Sequence, residues 1–244
     1  MERDITIHSS NPSAKGSLIV EFVGLPGVGK STLSRRTAAT IASDHPRVTE
    51  PTRWIENRSG PSRILSKGRY AAEHTLRHPR TAIDGLRTMR GTEQPTTSDF
   101  VRVAFNFQYV AGVVSHTRST SAVTLLDQGP YQALWSIGLR SPVDWPDLLD
   151  RFENPLSRIA PDLVVLVEVD TETIADRLRS REGGDTRLVP GTPEFDRGVD
   201  GYDWIKKRVQ SSDRTESIVV ENETRADLTA GASRIADAID SVES

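Results

Sequence analysis

Short apolar runs alternate with amphipathic stretches along this chain. Ser17–Val23 (SLIVEFV) reads as a buried strand, and a glycine-rich turn leads from it into a helix over 31–42 with Leu33, Thr37 and Ile41 on one stripe. Val48 and Thr49 suggest a short second strand. Two short helices are expected over 62–77 and 80–90, broken at His78-Pro79. Residues 99–117 predict a long helix, because Phe100, Val103, Phe107, Val110 and Val114 keep a three-four spacing. Ala122–Leu126 and Asp162–Val169 (DLVVLVEV) are further buried strands, the second the clearest of all. A helix over 172–181, a loop over 182–192 (EGGDTRLVPGT) and a helix over 194–210 follow. Ser217–Val220 is a last short strand, and a final helix carries Leu228, Ala232, Ile235 and Ile239 on one face.

Strands that alternate with helices predict an α/β domain whose parallel sheet is covered on both faces. No repeat or linker divides the chain, so one domain over 17–244 is expected, after a loose polar tail over 1–16. Residues 57–98 hold eight Lys/Arg against three Asp/Glu and read as a basic helical insertion over the sheet's C-terminal edge, on the substrate side.

Composition narrows the classes. Hydrophobic residues make up 36% of the 244, and no apolar run is long enough to span a membrane. Cysteine is absent, which excludes disulfides and thiolate-bound metals. No secretion signal opens the chain, and a cytoplasmic protein is expected. A net charge of −3 favours no nucleic-acid partner. The cations are 26 Arg against 5 Lys, a bias compatible with forked phosphate donors but equally with genome composition.

The most specific motif is GLPGVGKS, Gly24 to Ser31, which fits G-x-x-x-x-G-K-[ST] in full. It predicts a three-layer P-loop NTPase fold. Gly24, Leu25, Pro26, Gly27, Val28 and Gly29 would curl their backbone N–H groups round an anion, and the helix from Ser31 and Thr32 would add its positive end. Lys30 would reach the β- and γ-phosphates of ATP, and Ser31 would offer its hydroxyl to Mg²⁺. Asp127, at the end of the strand AVTLL, would join the Mg²⁺ shell. No D-x-x-G follows that strand and no N-K-x-D is present, so a GTPase switch is not indicated. Gln128 stands where a motor ATPase carries glutamate. A kinase needs instead a cationic lid that excludes water. Arg177 and Arg181 lie four apart on one helix face, Arg179 and Arg187 flank the same loop, and Gly183-Gly184 would let it move.

Several segments resemble the deoxynucleoside kinase and thymidylate kinase group of P-loop kinases, in order from about 17 to 240. VTEPTRW at 48–54 is similar to E-P-x-x-x-W with one residue fewer. AFNFQYVAGVVSHTR at 104–118 resembles a helix bearing a base-binding Gln and then a basic residue. TLLDQGP at 124–130 lies where the group has E-R-S or D-R, and PDLVVLVEVDTETIADRLRSR at 161–181 resembles its strand-helix-lid entry. The resemblance implies transfer of the γ-phosphoryl of Mg·ATP to a small-molecule acceptor, a nucleoside or nucleoside monophosphate. It makes Glu50 the general base for an acceptor hydroxyl, Trp54 a wall of the acceptor pocket, Gln108 the reader of a base and Arg118 a contact to the acceptor's far end. Gln108 shares its face with Ala104, Ala111 and Ser115, small enough for a planar ligand to approach, though a core-satisfied amide fits the same pattern. Gln128 replaces the group's Arg, which keeps open a kinase of the same fold acting on another hydroxyl. The basic 57–98 region keeps open a regulatory or DNA-linked ATPase. A homodimer also stays open.

Overall fold

In a computed structural model, which describes residues 16–45, 47–120, 122–180 and 188–243, the apolar runs form one five-stranded sheet. Its strands are β1 (Leu18–Val23), β2 (Val48–Thr49), β3 (Val123–Leu126), β4 (Leu163–Glu168) and β5 (Glu216–Glu221). All pair in parallel, in the order β2-β3-β1-β4-β5. β1 lies at the centre, with Val20 opposite Leu125 on one side and Leu163 on the other. Both faces of β1, β3 and β4 are buried, which is why these strands read as unbroken apolar runs and not as alternation.

Ten helices are formed among the described residues: α1 (Lys30–Ile41), α2 (Pro51–Glu56), α3 (Gly60–Arg77), α4 (Pro79–Arg90), α5 (Thr97–Thr117), α6 (Pro130–Gly138), α7 (Trp145–Ser157), α8 (Thr171–Arg179), α9 (Pro193–Gln210) and α10 (Arg225–Val242). α1 and α10 pack together through Leu33, Ile235 and Ile239, all buried. Side-chain caps start several helices where the sequence places Thr or Asp: Thr96 Oγ1 accepts from Asp99 N, Asp170 Oδ1 from Thr173 N, and Thr224 and Asp227 form a reciprocal capping box.

The pattern reading named neither α2, α6 nor α7. α2 has only six residues. α6 (PYQALWSIG) is buried nearly all round, so no polar face gives it a helical period. Between them α6, α7 and α9 close on two glycines: a Cβ at Gly138 or Gly201 would lie 2.2 or 2.0 Å from the Trp145 ring. Trp145 Nε1 donates to Arg197 O at 3.1 Å, and Trp135 Nε1 to Gly198 O at 2.8 Å. This cluster fixes α9.

The 57–98 insertion is also more regular than expected. α3 has 18 residues and packs along α5, approaching so closely at Gly112 that a Cβ there would sit 2.2 Å from Tyr70 O. Among the described residues no helix is long and apolar enough to cross a membrane.

Candidate active site

Every strand is parallel, so all the strand C-termini lie at one edge, and the loops leaving them share one crevice. The loop Gly24–Gly29 leaves β1 there and runs into α1. Gly27 and Gly29 adopt φ of +97° and +89°, values that L side chains rarely take, so the two glycines are what lets the loop curl. Gly27 packs on Leu178 of α8, and the Val28 carbonyl accepts from Asn222 Nδ2 at 2.7 Å. Lys30 Nζ donates to Gly24 O at 2.7 Å and Leu25 O at 3.1 Å, folded back over its own loop.

Ser31 and Asp127 come together as expected. Ser31 Oγ donates to Asp127 Oδ2 at 2.9 Å. The other oxygen, Oδ1, accepts from Thr52 Oγ1 at 2.8 Å. Thr52 is buried beside Asp127, and the sequence reading had not singled it out. Among the described residues no three His, Asp or Glu side chains gather to hold a metal. One hydroxyl and one carboxylate are hard oxygen donors that suit Mg²⁺, an ion that keeps waters and takes its remaining ligands from phosphates.

Glu50 stands at the start of α2, one turn from this pair. Its Oε1 accepts from Ser34 Oγ at 3.0 Å and its Oε2 from Arg53 Nη1 at 2.7 Å. Trp54 is 56% exposed and carries the Arg58 guanidinium 3.7 Å from its ring centroid, so it forms neither a closed wall nor core.

The face of α5 expected to meet a ligand is instead covered by the insertion. Gln108 Nε2 donates to Ala82 O of α4 at 2.9 Å, and Ser115 meets His74 of α3 at 3.1 Å. Gln108 Oε1 is buried with no hydrogen-bond partner among the described residues. Gln108 lines an apolar groove of about 450 Å³ with Ala71, Ala72, Leu86, Ala104 and Phe105. Its neighbour Tyr109 turns toward Glu56 and Asp127. Burial pushes its phenol well above the ordinary range, with the charges of Glu56 and Asp127 adding to the effect. Lys67 lies 4.9 Å from the Tyr109 ring centroid and pairs with Glu56 at 2.5 Å.

One expected cation lies elsewhere. Arg118 is at the opposite edge of the sheet, where Nη1 pairs with Asp162 at 2.7 Å and Nη2 donates to Ala160 O at 2.9 Å. α5 runs toward the strand N-termini, so ten further residues carry Arg118 away from the crevice. Its role there is to tie α5 to the start of β4. Arg177 sits on α8, its Nη2 donating to Asn222 O at 3.1 Å and Glu223 O at 2.8 Å, its Nη1 to Gly27 O at 3.4 Å. It therefore braces the flank of the phosphate loop in this form. Arg179 pairs with Asp176 at 2.7 Å in solvent. Arg181, Arg187 and residues 182–187 of the expected lid lie outside the described residues. Leu188 is buried against Gly198, and Thr192 caps α9.

The sequence reading also passed over Glu21. It lies at the centre of β1, fully buried, and its carboxyl accepts from Tyr131 N at 3.2 Å and Gln132 N at 2.8 Å. Burial pushes its pKa up to about 8, against the opposing pull of those amides and of Lys30. The available signal was a charged residue inside an otherwise apolar strand.

Known structures share this fold. A deoxyadenosine kinase from M. mycoides, solved with dCMP and dCDP, is 15% identical over 92% of this chain and 100% of its own, with a TM-score of 0.55. The same enzyme with bound dATP aligns at a TM-score of 0.54 and 15% identity, over 91% of this chain and 100% of its own. The chain has a deoxynucleoside/thymidylate kinase-like P-loop fold. Thymidylate kinase from Ehrlichia chaffeensis matches at 13% identity and a TM-score of 0.52, over 92% of this chain and 99% of its own. No protein-family model matches the sequence, and no curated protein does. At these identities the likeness is one of fold.

Proposed function

We propose that this chain is a phosphotransferase that moves the γ-phosphoryl group of Mg·ATP to a hydroxyl or phosphate of a nucleoside or nucleoside monophosphate. The observation that carries the reading is the contact of Ser31 with Asp127, made where the glycine loop, Lys30 and Glu50 converge. When bound, Mg²⁺ would neutralise charge between the donor phosphates, and Ser31 and Asp127 are the residues that would hold it. Lys30 would exchange its two loop carbonyls for phosphate oxygens. Thr52 would keep Asp127 aimed at the metal position.

On the acceptor side, Glu50 is the base of this reading. An acceptor hydroxyl that loses its proton to Glu50 must first take the place of Ser34 or Arg53 at one carboxylate oxygen. Gln108 is the base reader of this reading: its amide already spends a donor on Ala82 and retains an unpaired acceptor, so a base N–H is the complementary group. For that contact α3 and α4 must shift off α5. Arg177 would turn from its backbone carbonyls to the transferring phosphoryl group, and Arg181 is the second cation of this reading.

Gln128 favours a second acceptor class. It is exposed at the position where the resembling kinases carry Arg, so no cation from the strand-end motif faces the acceptor. A small-molecule hydroxyl outside the nucleosides fits that site as well. The DNA-linked reading has less support, since Arg63 and Lys67 pair with Glu56, Arg77 with Glu73, and Arg87 with Asp84. An ADP-release assay over nucleosides, nucleoside monophosphates and other small alcohols tests all three. Turnover that depends on one acceptor supports a kinase. ADP release that no acceptor accelerates would overturn it.

A further inference from the structure

A carboxyl group in the middle of the central strand is expensive to bury, and its contacts show what it organises. Glu21 receives the first free amides of α6, Tyr131 N and Gln132 N. The fit is tight: a Cβ on Gly129 would lie 2.5 Å from Glu21 Cδ, so the turn after Asp127 has glycine where the carboxyl passes. α6 then reaches back. Gln132, itself buried, accepts from Gly24 N through Oε1 at 3.3 Å. Gly24 is the first residue of the phosphate loop and is wedged against β4, where a Cβ would lie 2.8 Å from Val167 O.

We propose that Glu21 and Gln132 are positioning residues for the donor site: the Glu21 carboxyl seats the N-terminus of α6, and Gln132 uses that seat to hold the Gly24 peptide. The proposal rests on the donor half of the function proposed above and is independent of the acceptor. The two sides of the Gly24 residue are held separately, its N–H by Gln132 and its carbonyl by Lys30. Phosphate oxygens draw the Lys30 ammonium away from Gly24 O and Leu25 O. From then on Gln132 supplies the remaining side-chain anchor at that end of the loop. Loss of the anchor therefore weighs more on the nucleotide-bound form than on the empty one. The same seat sets the turn that carries Asp127, so one buried carboxyl keeps the loop and the metal-side acid in register.

The test is direct binding of Mg·ATP by calorimetry, with thermal unfolding alongside and acceptor KM measured separately. Gln132→Met keeps the side chain's length and removes its acceptor. Glu21→Leu removes the seat, and Glu21→Gln keeps an acceptor for Gln132 N. The expected result is an ATP dissociation constant about tenfold higher in Gln132→Met and Glu21→Leu, the scale of one buried amide left without a partner. Acceptor KM should stay near the wild-type value, and Glu21→Gln should restore most of the affinity. If Gln132→Met and Glu21→Leu unfold at lower temperature but bind ATP like the wild type, Glu21 is a helix cap and nothing more, and the proposal is overturned. Should Glu21→Leu fail to fold, Gln132→Met decides alone. Wild-type protein that binds no Mg·ATP would instead sink the donor reading, and the wild-type arm separates the two failures.

Discussion

At the scale of single residues, the site divides into groups that act on charge and groups that hold them. In the proposed mechanism Glu50 belongs to the first kind. Glu50→Gln keeps the shape and the Ser34 contact but cannot take a proton, so transfer should fall by about a hundredfold or more. ATP affinity should hardly move, because Glu50 bonds to Ser34 and Arg53 and not to the glycine loop. A retained rate would remove Glu50 from the base role. Glu21 makes a different prediction, about pH. Its pKa rises from 4.5 to about 8 on folding, because burial disfavours the charged form. Below about 4.5 the group is protonated in both states and contributes nothing to the slope. Between about 4.5 and about 8 the unfolded chain has released this proton and the folded one retains it, so stability falls as pH rises; above about 8 the contribution levels off. The charged or titratable groups facing Glu21 are Lys30 from α1 and Tyr131 from α6. Melting temperature against pH for wild type and Glu21→Gln checks this. The variant should lose the downward slope, and an unchanged slope would show that another group causes it. Residue-scale legibility follows the same division. Lys30, Ser31 and the Gly positions show in the sequence because phosphate binding demands fixed local spacing. Thr52, Gln132 and Asn222 act across long stretches of chain, and no local pattern announces them.

At the scale of elements, the strands were readable because a parallel sheet buried on both faces leaves continuous apolar runs. α6 was hidden by the same property, since a helix buried all round has no period to detect. The two helices of the insertion were readable as well, but their packing was not. Its charges drew attention, but the close packing of α3 on α5 depends on the missing Cβ of Gly112, which no charge pattern announces. Gly112→Ala should accordingly destabilise the fold by about 1–3 kcal/mol, the usual cost of overpacking. Denaturant unfolding measures it, and a change under about 0.5 kcal/mol would show that α3 is free to move away. The same packing bears on Gln108. α3 and α4 lie over the helix face that the small residues Ala104, Ala111 and Ser115 had marked as open. Gln108→Ala should alter the choice among acceptors more than ATP affinity, because a buried amide discriminates by the hydrogen bonds it leaves unmade. A uniform small change across acceptors in the ADP-release assay would return Gln108 to the core.

At the scale of the molecule, β1 is the centre from which the proposed donor site is built: Glu21 lies within it, the glycine loop leaves its end, and β3 and β4 beside it deliver Asp127 and the Val167 backbone against Gly24. Ligation of phosphate at this loop should therefore stabilise the whole fold and not a loop alone. Mg·ATP that binds only the folded state, at a hundred times its dissociation constant, adds about 2.7 kcal/mol. For a chain of this size that corresponds to a rise in melting temperature of roughly 5–10 °C. Lys30→Ala should remove most of the rise while leaving a folded protein, since in this reading the ammonium leaves Gly24 O and Leu25 O to act on the phosphates. The comparison needs ADP and ATP with and without Mg²⁺. A rise with ATP that requires the metal would support the joint role of Ser31 and Asp127, and Asp127→Asn should then blunt the metal dependence while keeping the metal-free binding. A folded Lys30→Ala protein that is stabilised by Mg·ATP as much as wild type would place the nucleotide somewhere other than Gly24–Ser31.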